Sequence, residues 1–348
     1  MKILKYVVTA LLIFILAHIV GAEEIKKIGK NRFGTDAIEL TSSVASDKIV
    51  SITSAENLSG KLAILATESN QAIFLIRKTL KTANKSDAIE YAKVINIVLE
   101  ETSKGLNILL QAPNPAPWSG TDNSGIVEGE LQIPKGSKII IDAQYFDLNL
   151  IGPFEAVENK SSFGRVEVNN ITELLYVATS NQDIIATNIT GEINLATSHA
   201  DIEVTDITTS GKLAYIRNEN GSIKGENLSG FFDIKNSFGR IKLTNLKLVS
   251  DRSRISGSYS PINLRINGIN NGGLTVRNTN EDVKVFVPEE LAAEFSLRVD
   301  NNGEIDVEGL AINPTLVENN RLDFETGSGG PRIRMSIRGD GNISIRGN

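Results

Sequence analysis

The sequence contains no cysteine among its 348 residues, and this absence removes several classes of function. A disulfide framework, thiolate catalysis and lipid attachment to an amino-terminal cysteine all require a residue that the chain lacks. Histidine occurs twice and tryptophan once. With no cysteine and His199 as the one histidine beyond the leader described below, a standard zinc site has too few ligands, and a Ser–His pair would have to use His199.

Basic residues do not outnumber acidic ones, and this bears on the kind of partner. The chain has 36 Lys and Arg against 42 Asp and Glu, a net charge of −6, and aromatic residues make up 5% of it. Proteins that bind nucleic acid need a basic footprint to neutralise phosphates. The composition therefore argues against nucleic acid as a partner.

The first 22 residues have the pattern of a secretory signal peptide. Lys2 and Lys5 precede an apolar run, and Val20-Gly21-Ala22 offers small residues at the expected cleavage positions. Removal of this leader takes the net charge from −6 to −8, because both lysines leave with it. The alternative is a retained membrane anchor, since the run is near the short end for a span. We expect export to the periplasm, the cell surface or the medium, with no stable membrane span after cleavage.

A repeat of 18–21 residues occupies the stretch from Ile171 to Val285. Each repeat contains two short runs of alternating apolar and polar residues, seven residues apart, as at Leu195 and Ile202. Such alternation places apolar side chains on one face of a strand, and a period near twenty residues is typical of solenoids. The sequence predicts a mainly β fold, in which a single-chain β-solenoid follows a small α+β or β-rich unit.

Two columns of equivalent residues emerge when the repeats are aligned. The first is aliphatic, and we expect it to point inward: Val166, Ile184, Ile202, Ile223 and Ile241. The second is Asn or Asp: Asn170, Asn188, Asp206, Asn227 and Asn245. Asn and Asp tolerate left-handed backbone angles, and stacked Asn side chains can bond to one another. The second column therefore predicts a corner of the coil.

Composition divides the chain into residues 1–22 (leader), 23–112 (a small β-rich unit with one short helix), 113–125 (a linker or long loop) and 126–348 (the solenoid). The linker interpretation rests on Pro113, Pro115 and Pro117 and on the small polar residues after them. Near the C-terminus, we expect further strands at 297–299 and 305–307 and a final pair at 332–337 and 342–345.

Related strand motifs recur along the second unit: Val127–Gly136 (VEGELQIPKG), Phe163–Val168 (FGRVEV), Phe238–Leu243 (FGRIKL), Val283–Pro288 (VKVFVP) and Asn302–Val307 (NGEIDV). On these motifs the chain resembles the bacterial "putative adhesin" domain family. The resemblance covers Ile126–Asn348, and Ile49–Gln111 more loosely. It implies an exported protein that binds at a surface, and it carries over no catalytic residues.

Asp183 and Asp201 are the strongest candidates for catalysis. They occupy equivalent positions in neighbouring rungs, about 4.8 Å apart by the usual strand spacing, and retaining glycosidases use carboxylates about 5–5.5 Å apart. The competing interpretation is an exposed corner that favours Asp. His199 occupies a corner position equivalent to Asn181, which favours a solvated polar residue.

The sequence thus predicts an exported, adhesin-like protein without enzymatic activity, acting as a binding or structural surface of the cell envelope. Its ligand would be a cell-surface glycan or a protein, and no cofactor or metal is predicted. Two alternatives remain open. One is a polysaccharide-active β-helix enzyme that uses the Asp pair, and the other is an envelope scaffold that assembles through its ends.

Overall fold

The computed structural model describes residues 24–45, 48–249, 253–270, 272–300 and 303–348. The predicted leader at residues 1–22 lies outside these ranges. Within them the fold is mainly β, as the alternating pattern predicts, with 27 strands and one helix. The described residues include no helix with the length and apolar character needed to cross a membrane.

The strands fall into three groups along the chain. The first group is β1 (Ile25–Gly29), β2 (Arg32–Thr35), β3 (Ile38–Ser43), β4 (Ile49–Ser54), β5 (Leu58–Thr67), β6 (Gln71–Lys81), β7 (Asn96–Glu101), β8 (Gly105–Gln111), β9 (Ser124–Pro134) and β10 (Lys138–Asp142). The second is β11 (Phe146–Lys160), β12 (Val166–Ala178), β13 (Ile184–Thr190), β14 (Glu192–Thr197), β15 (Ile202–Asn218), β16 (Ile223–Asn236), β17 (Ile241–Leu248), β18 (Ser253–Gly257), β19 (Ile262–Ile269), β20 (Leu274–Thr279) and β21 (Val283–Val287). The third is β22 (Ala293–Val299), β23 (Ile305–Glu308), β24 (Ile312–Glu318), β25 (Arg321–Thr326), β26 (Arg332–Arg338) and β27 (Ile343–Gly347).

The helix, α1 (Lys85–Val94), lies near the amino-terminal strands. The side chain of Asn84 caps it, because its Oδ1 accepts a hydrogen bond of 2.9 Å from the backbone N–H of Asp87. Ala88, Tyr91 and Ala92 are buried, and the helix contacts β1, β2 and β6. The apolar face of α1 therefore covers this end of the sheet.

Most strands from β10 to β21 pair in parallel and form two ladders. Ladder 1 holds the first strand of each repeat, where Leu195 pairs with Val177 on one side and Ile216 on the other. Ladder 2 holds the second strand, where Ile202 pairs with Ile184 and Ile223. The partners in these pairings are equivalent residues of successive repeats, so the chain moves one position along the stack with each repeat.

Apolar side chains from both ladders fill the interior. In ladder 2, the aliphatic residues Val166, Ile184, Ile202, Ile223 and Ile241 are each 0% exposed and lie in consecutive parallel pairings. The residues that close each repeat are also buried: Ile171, Ile189, Ile207, Leu228 and Leu246. Full burial of one such side chain contributes about 1.5–3 kcal/mol, and the contribution recurs at every repeat.

The C-terminal strands enter the stack out of chain order. β26 pairs with β20 on one side and β22 on the other, and β27 likewise lies between β21 and β23. The chain first reaches the outer position with β22 and β23. It then returns through the hairpin β24–β25 and fills the gap with its last two strands. Alternation alone does not specify this order, because a strand of the same pattern fits either position.

The amino-terminal end is interleaved in the same way, and its pairings cross the segment at residues 113–125 that the sequence predicts to be a linker or long loop. β4 lies between β8 and β10, and β5 lies between β9 and β11. Strands from the predicted segments 23–112 and 126–348 therefore share one sheet and one core. Sequential strands are usually neighbours, and pairing between strands this far apart in the chain leaves no sign in the local composition.

Residues 113–123 form a packed loop, and β9 begins at Ser124. Trp118 is 4% exposed, and its indole N–H donates a hydrogen bond of 2.9 Å to the carbonyl of Asn57. Its ring meets that of Tyr91 on α1 edge to face, with the centroids 5.4 Å apart. The one tryptophan of the chain thereby fixes the loop to the helix and to the loop before β5.

Candidate functional site

The Asn and Asp column turns one corner of the stack. The backbone φ angles lie between 55° and 67°, in the left-handed region, at Asn170, Asn188, Asp206, Asn227 and Asn245. The amide of Asn227 donates to Asp206 Oδ1 at 2.8 Å, and the amide of Asn245 donates to Asn227 Oδ1 at 2.6 Å. Asn267, which the repeat alignment missed, extends the series by donating to Asn245 Oδ1 at 2.7 Å. From Asp206 to Asn267 these side chains bond to one another, which favours a structural role for the column.

The predicted acid pair lies at the start of ladder 2, where each carboxylate accepts a hydrogen bond from the backbone N–H of the residue that precedes the next strand. Asp183 Oδ1 accepts from the N–H of Asp201 at 3.0 Å, and Asp201 Oδ1 accepts from the N–H of Ser222 at 2.8 Å. Asp282 accepts in the same way from the N–H of Asn342 at 2.8 Å. This recurrence identifies a strand-bridging role for aspartate at this position.

Lys224 lies near Asp201 and forms ion pairs with Glu203 and Asp201. Lys224 Nζ lies 2.7 Å from Glu203 Oε1 and 3.4 Å from Asp201 Oδ2. The hydrogen bond to Glu203, and after it the contact with Asp201, raises the pKa of Lys224 above its ordinary value. The ammonium group therefore stays charged at neutral pH and does not serve as a general base.

His199 belongs to an exposed column that also carries aromatic rings. The column consists of the residues three positions before each ladder 2 pairing: Tyr145, Phe163, Asn181, His199, Asn220, Phe238 and Tyr259. We name it the aromatic corner. The imidazole Nδ1 of His199 lies 3.3 Å from the carbonyl of Ser180. Sequence reasoning placed His199 and Asn181 in equivalent positions but did not extend the comparison to the rings.

Two pairs of rings stack in the aromatic corner, one on each side of the polar residues. Tyr145 and Phe163 lie with centroids 4.9 Å apart and planes 6° from parallel. Phe238 and Tyr259 lie 5.6 Å apart, with planes 9° from parallel. All four side chains are between 43% and 53% exposed. The corner thus presents two fixed aromatic surfaces to solvent.

A glycine after one of these rings explains why the ring stays outside. A Cβ added at Gly164 would lie 1.7 Å from the carbonyl oxygen of Phe146. Only glycine permits the backbone to approach its neighbour this closely. The turn therefore presses against the stack at Gly164, while Phe163 is left 44% exposed. This is the physical meaning of the Phe-Gly-Arg motif at this position.

Two shallow clefts lie elsewhere on the surface. The larger, with a volume of about 720 Å³, is lined by residues that include Thr53, Lys93, Asn96 and Gln111. The smaller, about 390 Å³, includes Arg265, whose guanidinium lies 4.8 Å from the ring centroid of Phe286. Across the part of the chain that the structure describes, no group of three or more His, Cys, Asp or Glu side chains converges as a metal site would require.

Comparison with known proteins finds no matching family model and no matching curated protein. Among solved structures, the chain is similar to a putative cell adhesion protein from Clostridium sporogenes, with 12% identity, coverage of 90% of this chain and 100% of that chain, and a TM-score of 0.20. It is also similar to a putative adhesin from Parabacteroides merdae, with 9% identity, coverage of 89% and 96%, and a TM-score of 0.28. A putative lipid binding protein from Parabacteroides distasonis is similar at 12% identity, with coverage of 89% and 96% and a TM-score of 0.26. Similarity at these levels assigns no activity.

Proposed function

We propose that this chain is an exported β-solenoid that acts as a non-enzymatic binding protein of the cell envelope. The aromatic corner is the observation that carries the proposal. Stacked aromatic rings held about half exposed on a regular scaffold are typical of contact surfaces, where aromatic residues are enriched. A surface of this kind stays in place when a ligand binds, because the strands beneath it are paired on both sides.

The solenoid part of the proposal is supported by the two ladders. Parallel pairings recur once in every repeat through both of them. Each position of the stack contributes the same kind of inward aliphatic residue. A coil built this way is stabilised by contacts between neighbouring repeats and not by any single repeat.

The ligand class that best fits the aromatic corner is a glycan of a cell surface. Asn181, His199 and Asn220 lie between the two ring pairs and supply amide and imidazole groups for hydrogen bonds to hydroxyls. The rings supply apolar faces and edges. Sites that bind small ligands usually combine an aromatic or apolar surface with a few polar groups. A protein ligand would use the same rings, and the experiment below separates the two.

The structure offers less support for the two alternatives. The carboxylates of Asp183 and Asp201 each accept a hydrogen bond from a backbone N–H group, which counts against a role in a glycosidase. Assembly through the ends is disfavoured at β24, an edge strand that contains Pro314. Proline cannot donate to a further strand, and natural edge strands use it to prevent pairing with another chain.

The test is binding of the full mature chain to an array of cell-surface glycans. We expect the variant Phe163→Ser/Phe238→Ser to lose at least tenfold in affinity for any neutral glycan that the wild type binds. Tyr215→Ser is the matched control, because Tyr215 is an aromatic residue 39% exposed outside the corner. The proposal is contradicted if the wild type binds no glycan, if the control loses as much as the corner variant, or if reducing sugar is released.

A further inference from the structure

Five consecutive strands of ladder 1 each carry one exposed cation within the same two neighbouring rows of the outer face. Their order in the sheet is β16, β18, β20, β26 and β22. The cations, in that order, are Lys235, Arg254, Arg277, Arg334 and Arg298, and all are exposed. We name this set the basic zigzag. Outside these rows, β26 carries two further exposed arginines, Arg332 and Arg338.

The five cations alternate between two rows of the sheet. One row pairs Lys235 with Ser256, Ser256 with Arg277, Arg277 with Ser336, and Ser336 with Arg298. The other row runs from Asp233 through Arg254, Thr275 and Arg334 to Ser296. In four of the five strands, the residue that lies in the other row, two positions along the same strand from the cation, therefore carries a hydroxyl group. Within a row, cations recur at every second strand, about 9–10 Å apart by the usual strand spacing.

Within the described residues, only one cation of the basic zigzag forms an ion pair. Lys235, Arg254, Arg277 and Arg334 form no ion pair with any residue in the described ranges. Arg298 Nε lies 3.6 Å from Asp300 Oδ1, and the Arg298 side chain is 66% exposed. This is a local surplus of cations on a chain whose overall charge is −6.

Three acidic residues of the same face form ion pairs with arginines outside the zigzag. Asp233 lies 2.8 Å from Arg217, and Glu294 lies 2.7 Å from Arg332. Asp323, at the outer end of the row, lies 2.6 Å from Arg321. Because these carboxylates already have partners, the cations of the zigzag remain available for a ligand.

We propose that the basic zigzag binds a linear acidic polysaccharide laid along the stack. Arginine binds carboxylate and sulfate groups through two parallel hydrogen bonds, and the serine and threonine hydroxyls can bond to sugar hydroxyls between them. Four strand steps give a track about 19 Å long. Widely and regularly spaced cations match a polymer with one anionic group for each sugar or pair of sugars.

Nucleic acid and an anionic membrane fit this surface less well. Phosphates recur about every 3.4 Å along one strand of a duplex, which is much denser than the cations of a row. Proteins that lie on membranes insert apolar side chains between the headgroups, and the two rows of the zigzag contain none. Both are included below as competitors of the proposal.

This inference is independent of the proposed function, because the two surfaces share no residue. The aromatic corner lies in the turns that lead into ladder 2, and the basic zigzag lies on the outer face of ladder 1. Variants of one surface should leave binding at the other unchanged. A failure of either proposal is thus visible separately.

The experiment measures binding of the full mature chain to dextran sulfate and polygalacturonate, with unmodified dextran as the neutral polymer. We expect binding to at least one of the two acidic polymers, none to dextran, and at least a tenfold loss in Arg254→Ser/Arg277→Ser/Arg334→Ser. Binding should weaken when the salt concentration is raised from about 50 mM to about 500 mM, because exposed charges are screened. Thermal melting of each variant confirms that it is folded.

The matched control is Lys27→Ser/Arg32→Ser/Lys104→Ser, which removes three exposed cations at the amino-terminal end and changes the net charge equally. We expect this control to bind like the wild type. The proposal is overturned by an equal loss in both triple variants or by absence of binding to both acidic polymers. Tighter binding to vesicles of phosphatidylcholine with phosphatidylglycerol, or to duplex DNA, also overturns it.

Discussion

The backbone N–H of Ser222 donates a hydrogen bond of 2.8 Å to Oδ1 of Asp201, and these two residues immediately precede neighbouring strands of ladder 2. Asp183 accepts from the N–H of Asp201 in the same way, at 3.0 Å. Each aspartate therefore joins two successive strands where the chain enters the ladder. The two residues that sequence spacing suggests as a catalytic pair make bonds that hold the stack together.

The first prediction separates the acceptor role of Asp201 from its charge. We expect Asp201→Ala to lower the free energy of unfolding by about 1–2 kcal/mol, because the N–H of Ser222 loses its partner. Asp201→Asn keeps an oxygen acceptor, so it should retain most of the stability. Urea unfolding of both variants is the measurement. Equal losses in the two variants would show that the charge, and not the hydrogen bond, matters.

The second prediction concerns the core. Ile202 is 0% exposed between Ile184 and Ile223. Ile202→Asp would bury a carboxylate with no partner at a cost of several kcal/mol, out of a total stability of about 5–15 kcal/mol. We expect this variant to be unfolded or to melt far below the wild type in circular dichroism.

Glu203 provides the control for that variant. Its side chain is 45% exposed and forms an ion pair with Lys224 at 2.7 Å. An exposed pair of this kind contributes about 0–1 kcal/mol, so Glu203→Gln should melt close to the wild type. If Glu203→Gln unfolds the protein and Ile202→Asp does not, the inward and outward positions of ladder 2 are assigned the wrong way round.

The third prediction concerns the left-handed corner. Asn227 has a φ of 56° and bonds through its side chain to Asp206 and Asn245. Asn227→Val keeps neither the tolerance of this angle nor the bonds, and we expect it to lose about 2–3 kcal/mol of stability. Asn227→Gly restores the angle alone and should lose less. The order of their urea midpoints tests the argument, and a glycine variant as unstable as the valine variant contradicts it.

The regular part of the stack can be predicted from the sequence, because it depends on local patterns of apolar and polar residues. The alternation of apolar and polar residues predicts that the side chain of Ile202 points inward. The spacing of the repeat predicts that Ile184 and Ile223 are its neighbours. The Asn column follows from the same alignment. No long-range information is needed, since each repeat contacts the one before it and the one after it.

The irregular parts depend on contacts that the repeat does not encode. Arg334 follows Arg298 in the chain, yet its strand lies between those of Arg277 and Arg298, because β26 is placed between β20 and β22 in the sheet. The basic zigzag is therefore invisible in the linear sequence. The burial of Trp118 in the predicted linker or loop is not visible locally, since its partner Tyr91 lies on a helix that comes well before it in the chain.

The most direct test of the account is a set of distances along the stack. Glu167, Lys224, Asn263 and Lys284 occupy one outward row of ladder 2. The chain has no cysteine, so two introduced cysteines would be the only sites for spin labels. Pulsed electron paramagnetic resonance should then measure distances between the two spin labels that increase with the number of strands between them.

From Glu167, the rows predict three strand steps to Lys224, five to Asn263 and six to Lys284. At about 4.8 Å per step, the separations are about 14, 24 and 29 Å, broadened by the label arms. A linear increase through these values is the result we predict. Distances that do not rise in this order, or that stay equal for Asn263 and Lys224, would contradict the stacked arrangement on which every proposed surface depends.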